Sequence, residues 1–462
     1  MKMRSQPVGK LLLGMSLPAM FSMLVQALYN VVDTIFVARF AGEDGITALS
    51  AAFPMQLLVL SFAIGIGVGA NVAVAKRLGE GKNAEASEVA KTGLFLALIT
   101  SAVFMILGLT VVKPFIAFSV GDDASVRKMG DVYLTVVMTF SAASFVEICI
   151  TKILQSTGNM KVAMISQLIG AGTNIALDPL FIFGVGFFPE MGVFGAALAT
   201  VIGQAAAMTY ALIVAFFKKQ DVSLSLRRFR PRRHNIAAIC MIGFPTTVMN
   251  SVNSFTIIIL NGILKAISQS GIAILGVYFK LQSFVFMPVF GLTQGLMPIL
   301  SYNYGYGDKK RFSRALKLAM LTSASIMAAG LILFQAAPGP LMKLFSAEGA
   351  FFDEGKYALR IVSISFMFAA FSIILVTLMQ SLGKGISSLI MSLARQVILL
   401  VFGAVLGFTA GFNAFWFAYP VAELAVFAFF LPYTLAAVRK KFGGKAPVVE
   451  KVDLEQETNA SE

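Results

Sequence analysis

Apolar residues follow one another along this chain in long continuous stretches, broken by short segments that carry glycine and charge. A helix needs about 20 apolar residues to cross a bilayer, and continuous stretches differ from the alternating pattern of a membrane β-barrel. The pattern therefore predicts an all-α polytopic membrane protein. We predict twelve transmembrane helices, at residues 14–40, 48–75, 92–119, 131–156, 162–187, 191–217, 236–264, 272–303, 317–345, 357–381, 385–410 and 413–438.

Basic residues indicate how these helices are oriented. With both chain ends in the cytoplasm, the cytoplasmic segments hold 27 of the 37 lysines and arginines, the outer segments hold 8, and two fall within helices. This bias follows the positive-inside rule and predicts an N-in, C-in topology. Orientation signals therefore explain the net charge of +14, and we expect contacts with membrane lipids and none with nucleic acid.

The chain offers little material for catalysis. Its single histidine, His234, lies in a basic loop, and Cys149 and Cys240 lie in or beside apolar stretches, where they fit as small core residues. The sequence contains no clustered nucleophile and base, and no phosphate-binding loop of the Walker type. We therefore predict a protein that is not an enzyme and needs no organic cofactor.

The two halves of the chain repeat each other. Pro18 recurs at Pro245, and the motif that begins at Gln155 recurs at Gln380. Five residues recur at one constant offset: Gly65, Gly69, Gly79, Gly81 and Lys91 return as Gly291, Gly295, Gly305, Gly307 and Lys317. Each half holds six predicted helices, and because six is even, both halves have the same orientation in the membrane.

Such parallel repeats predict two lobes related by an axis along the membrane normal, with a cavity between them, as in transporters that rock between two states. We predict an N-lobe at residues 1–220, a basic cytoplasmic linker at 221–235 and a C-lobe at 236–440. The polar segment at 441–462 is predicted to be a disordered cytoplasmic tail.

The first predicted helix carries a carboxylate that is costly to bury. Gln26, Asn30 and Asp33 stand at i, i+4 and i+7, so they share one face of the helix. An aspartate at the centre of a membrane helix costs about 2.5–3.5 kcal/mol on insertion scales, and such a residue is by default a candidate for function. The alternative is an aspartate that reaches the interface or is satisfied by a packing partner.

The fifth predicted helix supplies a second acid in the same lobe. Asn174 and Asp178 share a face at i, i+4, and Pro179 leaves a helical carbonyl oxygen one turn earlier without its usual partner. Thr200 in the sixth helix could add a hydroxyl group, although such a threonine often bonds a carbonyl oxygen of its own helix.

Neither acid has an equivalent in the second half, where Asp33 corresponds to Leu260 and Asp178 to Gly403. Aspartates with nearby amide oxygens suit Na⁺, or a proton shared between carboxylates. We therefore predict a cation or proton site in the N-lobe alone, made of Gln26, Asn30, Asp33, Asn174, Asp178 and Thr200. If the ion is Na⁺, we expect it at Asp33, Asn174, Asp178 and Thr200.

Other polar residues inside the predicted helices are candidates for the cavity wall. Glu147 lies about one turn from Lys152 and could pair with it. Lys280, Arg395 and Glu423 could line the cavity or form pairs between helices. The predicted substrate cavity comprises Tyr29, Lys280, Gln282, Arg395 and Glu423. The 42 phenylalanines and 23 methionines would suit flat, apolar cations, although most must be ordinary core and lipid-facing residues.

Three motifs in these helices resemble those of the multidrug and toxic compound extrusion (MATE) family. The motifs are Gln26-x-x-Tyr29-Asn30-x-x-Asp33-Thr34, Asn174-x-x-x-Asp178-Pro179 and Gly195-Ala196-Ala197-x-Ala199-Thr200. The resemblance is strongest to the bacterial branch of DNA-damage-inducible and staphylococcal-type exporters, and it covers essentially the whole chain apart from its two ends.

This resemblance implies a V-shaped pair of six-helix lobes that works as a monomer in the bacterial cytoplasmic (inner) membrane. It implies export of small organic cations by antiport, in exchange for inward H⁺ or Na⁺. It also implies a coupling site at Gln26, Asp33, Asn174, Asp178 and Thr200. Another branch of the family carries an acidic pair on the seventh and tenth helices, which hold no acid here, and that departure argues against C-lobe coupling of that type.

The main alternative is a flippase or exporter of lipid-linked or polysaccharide precursors from the same superfamily. Such a protein would need a cavity lined with lysine and arginine to hold phosphates, and only Lys280 and Arg395 fall within predicted helices. A membrane enzyme or scaffold is a third class, and the sequence offers no catalytic cluster for it.

Overall fold

A computed structural model describes residues 2–120, 123–186, 188–218, 220–225, 229–268, 270–345 and 349–442. Within these ranges the chain is helical and contains no strand, which confirms the predicted all-α fold. The helices are α1 (Lys2–Ser5), α2 (Val8–Gly79), α3 (Asn83–Thr110), α4 (Val112–Val120), α5 (Ala124–Thr139), α6 (Ala142–Ser156), α7 (Met160–Ile182), α8 (Gly192–Phe217), α9 (Arg233–Ile267), α10 (Gly271–Tyr306), α11 (Lys309–Ala336), α12 (Pro338–Lys343), α13 (Gly349–Ser363), α14 (Ser365–Ser381), α15 (Gly385–Ala410), α16 (Phe412–Phe415) and α17 (Ala418–Phe442). Nearly all of the predicted tail lies outside the described residues.

The first two predicted helices follow each other directly within α2 and meet at a kink. The break between them is a single residue, Gly42, with φ 59° and ψ −140°. Glycine adopts a positive φ at little cost in conformational energy, so the chain can change direction at this one residue. Asp33 lies on the segment before the break, and the segment after it, Asp44–Gly79, is long and apolar enough to span a membrane.

In the described part of the chain, nine helical segments could cross a membrane by length and composition, or eleven when two bent pairs are counted as spans. The pairs are α5 with α6, bent by 46°, and α13 with α14, bent by 44°, where the sequence predicted continuous helices. At the first bend the Ser141 amide bonds the Met138 carbonyl oxygen, three residues back, which tightens the turn. The remaining predicted span is α7, whose polar residues, Asn174 and Asp178 among them, lower its hydropathy.

A symmetric crossing of α2 and α10 joins the two halves. Gly79 packs against the carbonyl oxygen of Tyr302, and Gly305 packs against that of Lys76, so a β-carbon at either glycine would collide with the facing oxygen. Gly305 is the repeat equivalent of Gly79, and Tyr302 is the repeat equivalent of Lys76. The same contact is therefore made once by each half, and these repeated glycines are positions of close packing between parallel repeats.

Polar contacts between the lobes lie towards the same end of the helices. Lys152 of α6 donates to Oε1 of Gln294 in α10 at 2.8 Å. The Arg311 guanidinium donates to the carbonyl oxygens of Met3 and Gln6 at 2.9 and 2.8 Å. One buried apolar cluster also extends across both lobes, whereas a second lies within the C-lobe. The predicted topology places the joined end in the cytoplasm.

Candidate cation and substrate site

Close packing of α7 against α8 brings the polar residues of the N-lobe together. A β-carbon on Gly203 of α8 would lie 2.7 Å from the carbonyl oxygen of Gly170 and 3.2 Å from Cβ of Asn174 in α7. Only a glycine fits there without a shift of one helix. This approach lets the Asn174 side chain reach across to Thr200 of α8.

Asn174 is the centre of the hydrogen-bonded part of this site. Its Nδ2 donates to Oδ1 of Asp178, one turn along the same helix, and to Oγ1 of Thr200, both at 3.3 Å. Asp178 is completely buried and Asn174 is 2% exposed. The predicted shared face on α7 and the predicted hydroxyl from α8 are therefore both present in the structure.

Asp33 brings the second carboxylate from α2. It is 8% exposed, and it lies close enough to Asp178 for their charges to interact. Tyr29, one turn before Asp33, is within electrostatic range of both acids. The two aspartates, which are far apart in sequence, therefore lie within electrostatic range of each other and of Tyr29.

Three buried oxygens of this site accept no hydrogen bond from the described residues: Asp33 Oδ1, Asn174 Oδ1 and Asp178 Oδ2. A buried acceptor without a partner typically costs about 1–3 kcal/mol, more when it is charged. All three are hard oxygen atoms of the kind that binds Na⁺, and a proton on one carboxylate would turn that group into a hydrogen-bond donor. The chemistry of these atoms fits the predicted coupling ion, although the described residues hold no group of three or more His, Cys, Asp or Glu suited to a metal.

A cavity of about 240 Å³ adjoins these residues in the N-lobe. Of the predicted site residues, it is lined by Gln26, Tyr29, Asn174 and Thr200. Glu147, a weaker candidate from the sequence, also lines it. The polar residues of its wall that the sequence predictions did not include are Gln56, Ser141, Ser144, Gln167 and Gln204. No lysine or arginine is among the described residues that line it.

Helical spacing could have identified two of these additional residues. Gln167 precedes Asn174 by seven residues, and Gln204 follows Thr200 by four, so each lies on the face of a residue already predicted. Gln56 had no such signal, because its place depends on a hydrogen bond that Nε2 donates to the hydroxyl of Tyr133 in α5 at 3.1 Å. Tyr133 also interacts electrostatically with Asp33.

Glu147 and Lys152 form no direct ion pair in the described part of the chain, although their charges interact. Oε1 of Glu147 accepts a hydrogen bond from Ser166 of α7 at 2.8 Å, whereas Lys152 donates to Gln294 across the lobes and, at 3.3 Å, to Gln155. Residues five apart point to different sides of a helix, unlike residues three or four apart. The acid therefore faces the N-lobe cavity and the lysine faces the C-lobe.

The C-lobe candidates are held apart from the N-lobe cavity. Arg395 of α15 and Glu423 of α17 form an ion pair of 3.1 Å between Nη1 and Oε1, which is one of the two predicted arrangements. The Lys280 ammonium lies 5.8 Å from the ring centre of Phe345, and Gln282 is half-buried on α10. The side chain of Asn30 lies outside the described residues, so its predicted role stays a prediction.

Solved structures share this arrangement of helices. A MOP superfamily transporter from Pyrococcus furiosus covers 95% of this chain and 98% of its own, with 23% identity and a TM-score of 0.88. A crystal structure of a MATE protein in the straight conformation shows the same coverage and identity with a TM-score of 0.89. This chain therefore shares its fold with these two proteins along nearly its whole length.

The MatE family model matches the chain twice, over residues 18–180 and 245–405. The first match begins at Pro18 and the second at Pro245, which are the prolines that recur in the internal repeat. The chain belongs to the MatE family, and it is a transporter of the cell membrane, not an enzyme.

Two curated relatives are similar along most of their length. The FAD transporter of Shewanella oneidensis is 27% identical over 427 residues, which cover 91% of this chain and 93% of the relative. The multidrug export protein MepA of Staphylococcus aureus is 25% identical over 413 residues, which cover 87% and 89%.

Proposed function

We propose that this protein is a secondary active multidrug antiporter that exports small organic molecules, mostly cationic drugs or toxins, in exchange for inward H⁺ or Na⁺ by alternating access. The observation that carries this proposal is the set of unpartnered oxygens on Asp33, Asn174 and Asp178, buried inside a membrane helix bundle. A charge held there at such a cost is expected to bind an ion. The names of the relatives, MepA above all, support drug export as the cargo.

The ion and the substrate would compete for the same negative charge. The coupling ion would bind between Asp33 and Asp178 and neutralise them, with Asn174 and Thr200 orienting the acceptors. Loss of that charge weakens the attraction for a cationic substrate and favours its release to the outside. The ion-loaded lobes would then rock about the crossing of α2 and α10 and release the ion to the cytoplasm.

The N-lobe cavity is too small to hold the coupling ion and a whole drug-sized substrate together. Pockets for drug-sized ligands measure roughly 300–1,000 Å³, and the cavity here holds about 240 Å³. It is therefore suited to the ion together with one end of a substrate. The body of the substrate would lie between the lobes, beside Tyr29 and Gln26.

The lining of the cavity argues against the flippase alternative. A phosphate-bearing precursor needs several basic residues, and the described wall of the N-lobe cavity carries Glu147 and no lysine or arginine. An acidic wall favours cationic cargo.

Purified protein in proteoliposomes tests this proposal. Ethidium efflux should be driven by an imposed inward gradient of H⁺ or of Na⁺, and the gradient that works identifies the ion. The D178N variant should lose this driven efflux, whereas D44N, which removes an exposed acid from α2, should keep it. Efflux that is equally fast with no ion gradient, or that survives D178N, would overturn the antiport mechanism.

A further inference from the structure

The internal repeat relates the N-lobe cavity to a set of polar residues in the C-lobe. Helices α7 and α15 begin at equivalent points of the repeat, Met160 and Gly385, so Gly170 corresponds to Arg395 and Ala171 to Gln396. Gly170 and Ala171 both line the N-lobe cavity. At the corresponding wall of the C-lobe, small residues are therefore replaced by a guanidinium and an amide.

A second contact shows that this correspondence extends to α9. Gln26, which also lines the N-lobe cavity, corresponds to Asn253 when the repeat is aligned on Pro18 and Pro245. Gln396 donates to Oδ1 of Asn253 at 2.6 Å. At the equivalent of the N-lobe cavity wall, two C-lobe side chains therefore bond each other, and Arg395 is the neighbour of one of them.

Exposure along α15 indicates which way Arg395 faces. Exposed apolar residues form a broad surface along this helix, as expected against lipid: Ile386, Ile390, Val397, Val401, Val405 and Phe408. Arg395 and Phe402 lie seven residues apart on one face, at the side of that surface. The Arg395 side chain is 28% exposed and Phe402 is 41% exposed. The repeat places Arg395 at the position of Gly170, which lines the N-lobe cavity, and an arginine in a membrane helix is expected to face the bundle interior or a water-filled cavity.

The ion pair leaves the guanidinium available and hides the carboxylate. Oε1 of Glu423 accepts a hydrogen bond from Nη1 of Arg395. The Glu423 side chain is only 10% exposed, and its Oε2 is buried without a partner among the described residues. A guanidinium carries several N–H donors in a planar fork, and a carboxylate or phosphate can occupy two of them at once. A molecule between the lobes would therefore contact Arg395, which Glu423 holds in place.

We propose that Arg395 is a specificity-determining residue that binds an acidic group, a carboxylate or a phosphate, on the transported molecule. This inference rests on the export function proposed above and extends its substrate class to flat aromatic molecules that carry an acidic group as well as, or in place of, a positive charge. Phe402 offers an aromatic surface on the same face of α15 for the ring. In the absence of such a molecule, Glu423 balances the charge of Arg395. Cations can therefore also bind between the lobes.

Two dyes with one ring system provide the test. Rhodamine 123 is a cation, and rhodamine 110 carries a free carboxylate where rhodamine 123 has a methyl ester. Efflux of each is measured from the same proteoliposomes, and the ratio of rhodamine 110 to rhodamine 123 is the readout. R395Q should lower this ratio by about tenfold, the effect of losing roughly 1.4 kcal/mol of charge-assisted hydrogen bonding. R360Q, which removes an exposed guanidinium from α13, should leave the ratio at its wild-type value.

A second variant guards against a folding defect, because R395Q leaves a buried carboxylate unpaired. R395Q/E423Q removes both charges and should show the same fall in the ratio. An unchanged ratio in this double variant overturns the proposal, as does wild-type protein that moves rhodamine 123 and neither moves nor binds rhodamine 110.

If no ion gradient drives either dye, the antiport proposal fails and binding decides this inference separately. Rhodamine 110 anisotropy with detergent-purified protein should then show binding that R395Q/E423Q abolishes. Equal binding by wild type and variant would contradict the role of Arg395.

Discussion

The same three helices of the repeat are used differently in the two lobes. In the N-lobe, α2, α7 and α8 surround Asp33, Asn174 and Asp178, and each of these residues keeps a buried oxygen without a partner among the residues that the structure describes. In the C-lobe, α9, α15 and α17 hold two internal contacts, between Asn253 and Gln396 and between Arg395 and Glu423.

This difference shows how a duplicated scaffold can specialise. One lobe leaves acceptors open, which in the proposed mechanism would bind the coupling ion, whereas the other joins its polar side chains to each other. The first arrangement is costly in the empty protein and gains from binding, and the second is stable without a ligand. Ion coupling is therefore expected to depend on the N-lobe, while the C-lobe sets the charge of the cargo.

The largest effect is expected from neutralising either N-lobe acid. D33N and D178N each resemble the ion-loaded state, because asparagine has nearly the shape of aspartate but lacks its negative charge. Each should slow ion-driven ethidium efflux by about 100-fold, equivalent to roughly 3 kcal/mol, within the range measured for buried charged contacts. Efflux is compared at equal protein level, with D44N as the control. If efflux falls by less than about threefold in both variants, ion coupling does not depend on the N-lobe acids.

The next largest effect is expected in the C-lobe and concerns stability. E423Q leaves the Arg395 guanidinium without its partner and should lower the free energy of unfolding by roughly 1–3 kcal/mol, less than a fully buried pair because the arginine is partly exposed. Replacing both residues, as in R395M/E423L, should recover most of that loss. Thermal unfolding in detergent measures both variants, and an additive loss in the double variant would show that the two side chains are not coupled.

A smaller effect is expected when the N-lobe is made to resemble the C-lobe at one position. N174L introduces the leucine found at the corresponding residue 399, and it removes the amide that joins Asp178 to Thr200. Loss of two neutral or charge-assisted hydrogen bonds should slow driven efflux by about tenfold. T200V should cost about threefold and T200S close to nothing, since serine keeps the hydroxyl. Equal losses in T200V and T200S would show that the methyl group matters and the hydroxyl does not.

The smallest effect is expected at the contact between Asn253 and Gln396. Q396L removes one neutral hydrogen bond of 2.6 Å and should cost about 1 kcal/mol of unfolding free energy. Ion-driven efflux should change less than in N174L, because the C-lobe contact binds no ion in this account. A loss of coupling in Q396L as large as that in D178N would contradict the assignment of the ion to the N-lobe.

Periodicity was enough to identify most of the N-lobe site. The shared face of Asn174 and Asp178 follows from a spacing of four residues on one helix, and the structure joins these two side chains by a hydrogen bond. The absence of both acids from the second half also follows from the sequence, because the repeat offset is visible in its glycines. The same logic would have found Gln167 and Gln204.

Helical periodicity and the internal repeat could not predict features that depend on packing between helices. The partner of Arg395 lies 28 residues away across an outer turn, so the sequence left a cavity role and an ion pair equally open. Glu147 and Lys152 share a helix yet turn to different partners, Ser166 and Gln294, which only the neighbouring helices determine. The kink at Gly42, where the first two predicted helices meet without a loop, was not predicted either.

Ion release on substrate binding tests the central claim most directly. Ethidium is added to detergent-purified protein, in weakly buffered solution to detect protons and with radioactive Na⁺ to detect sodium. Wild-type protein should release H⁺ or Na⁺ as ethidium binds, because both ligands compete for Asp33 and Asp178. D33N/D178N should release neither ion, and D44N should behave as wild type. Undiminished ion release from D33N/D178N would contradict a coupling site in the N-lobe.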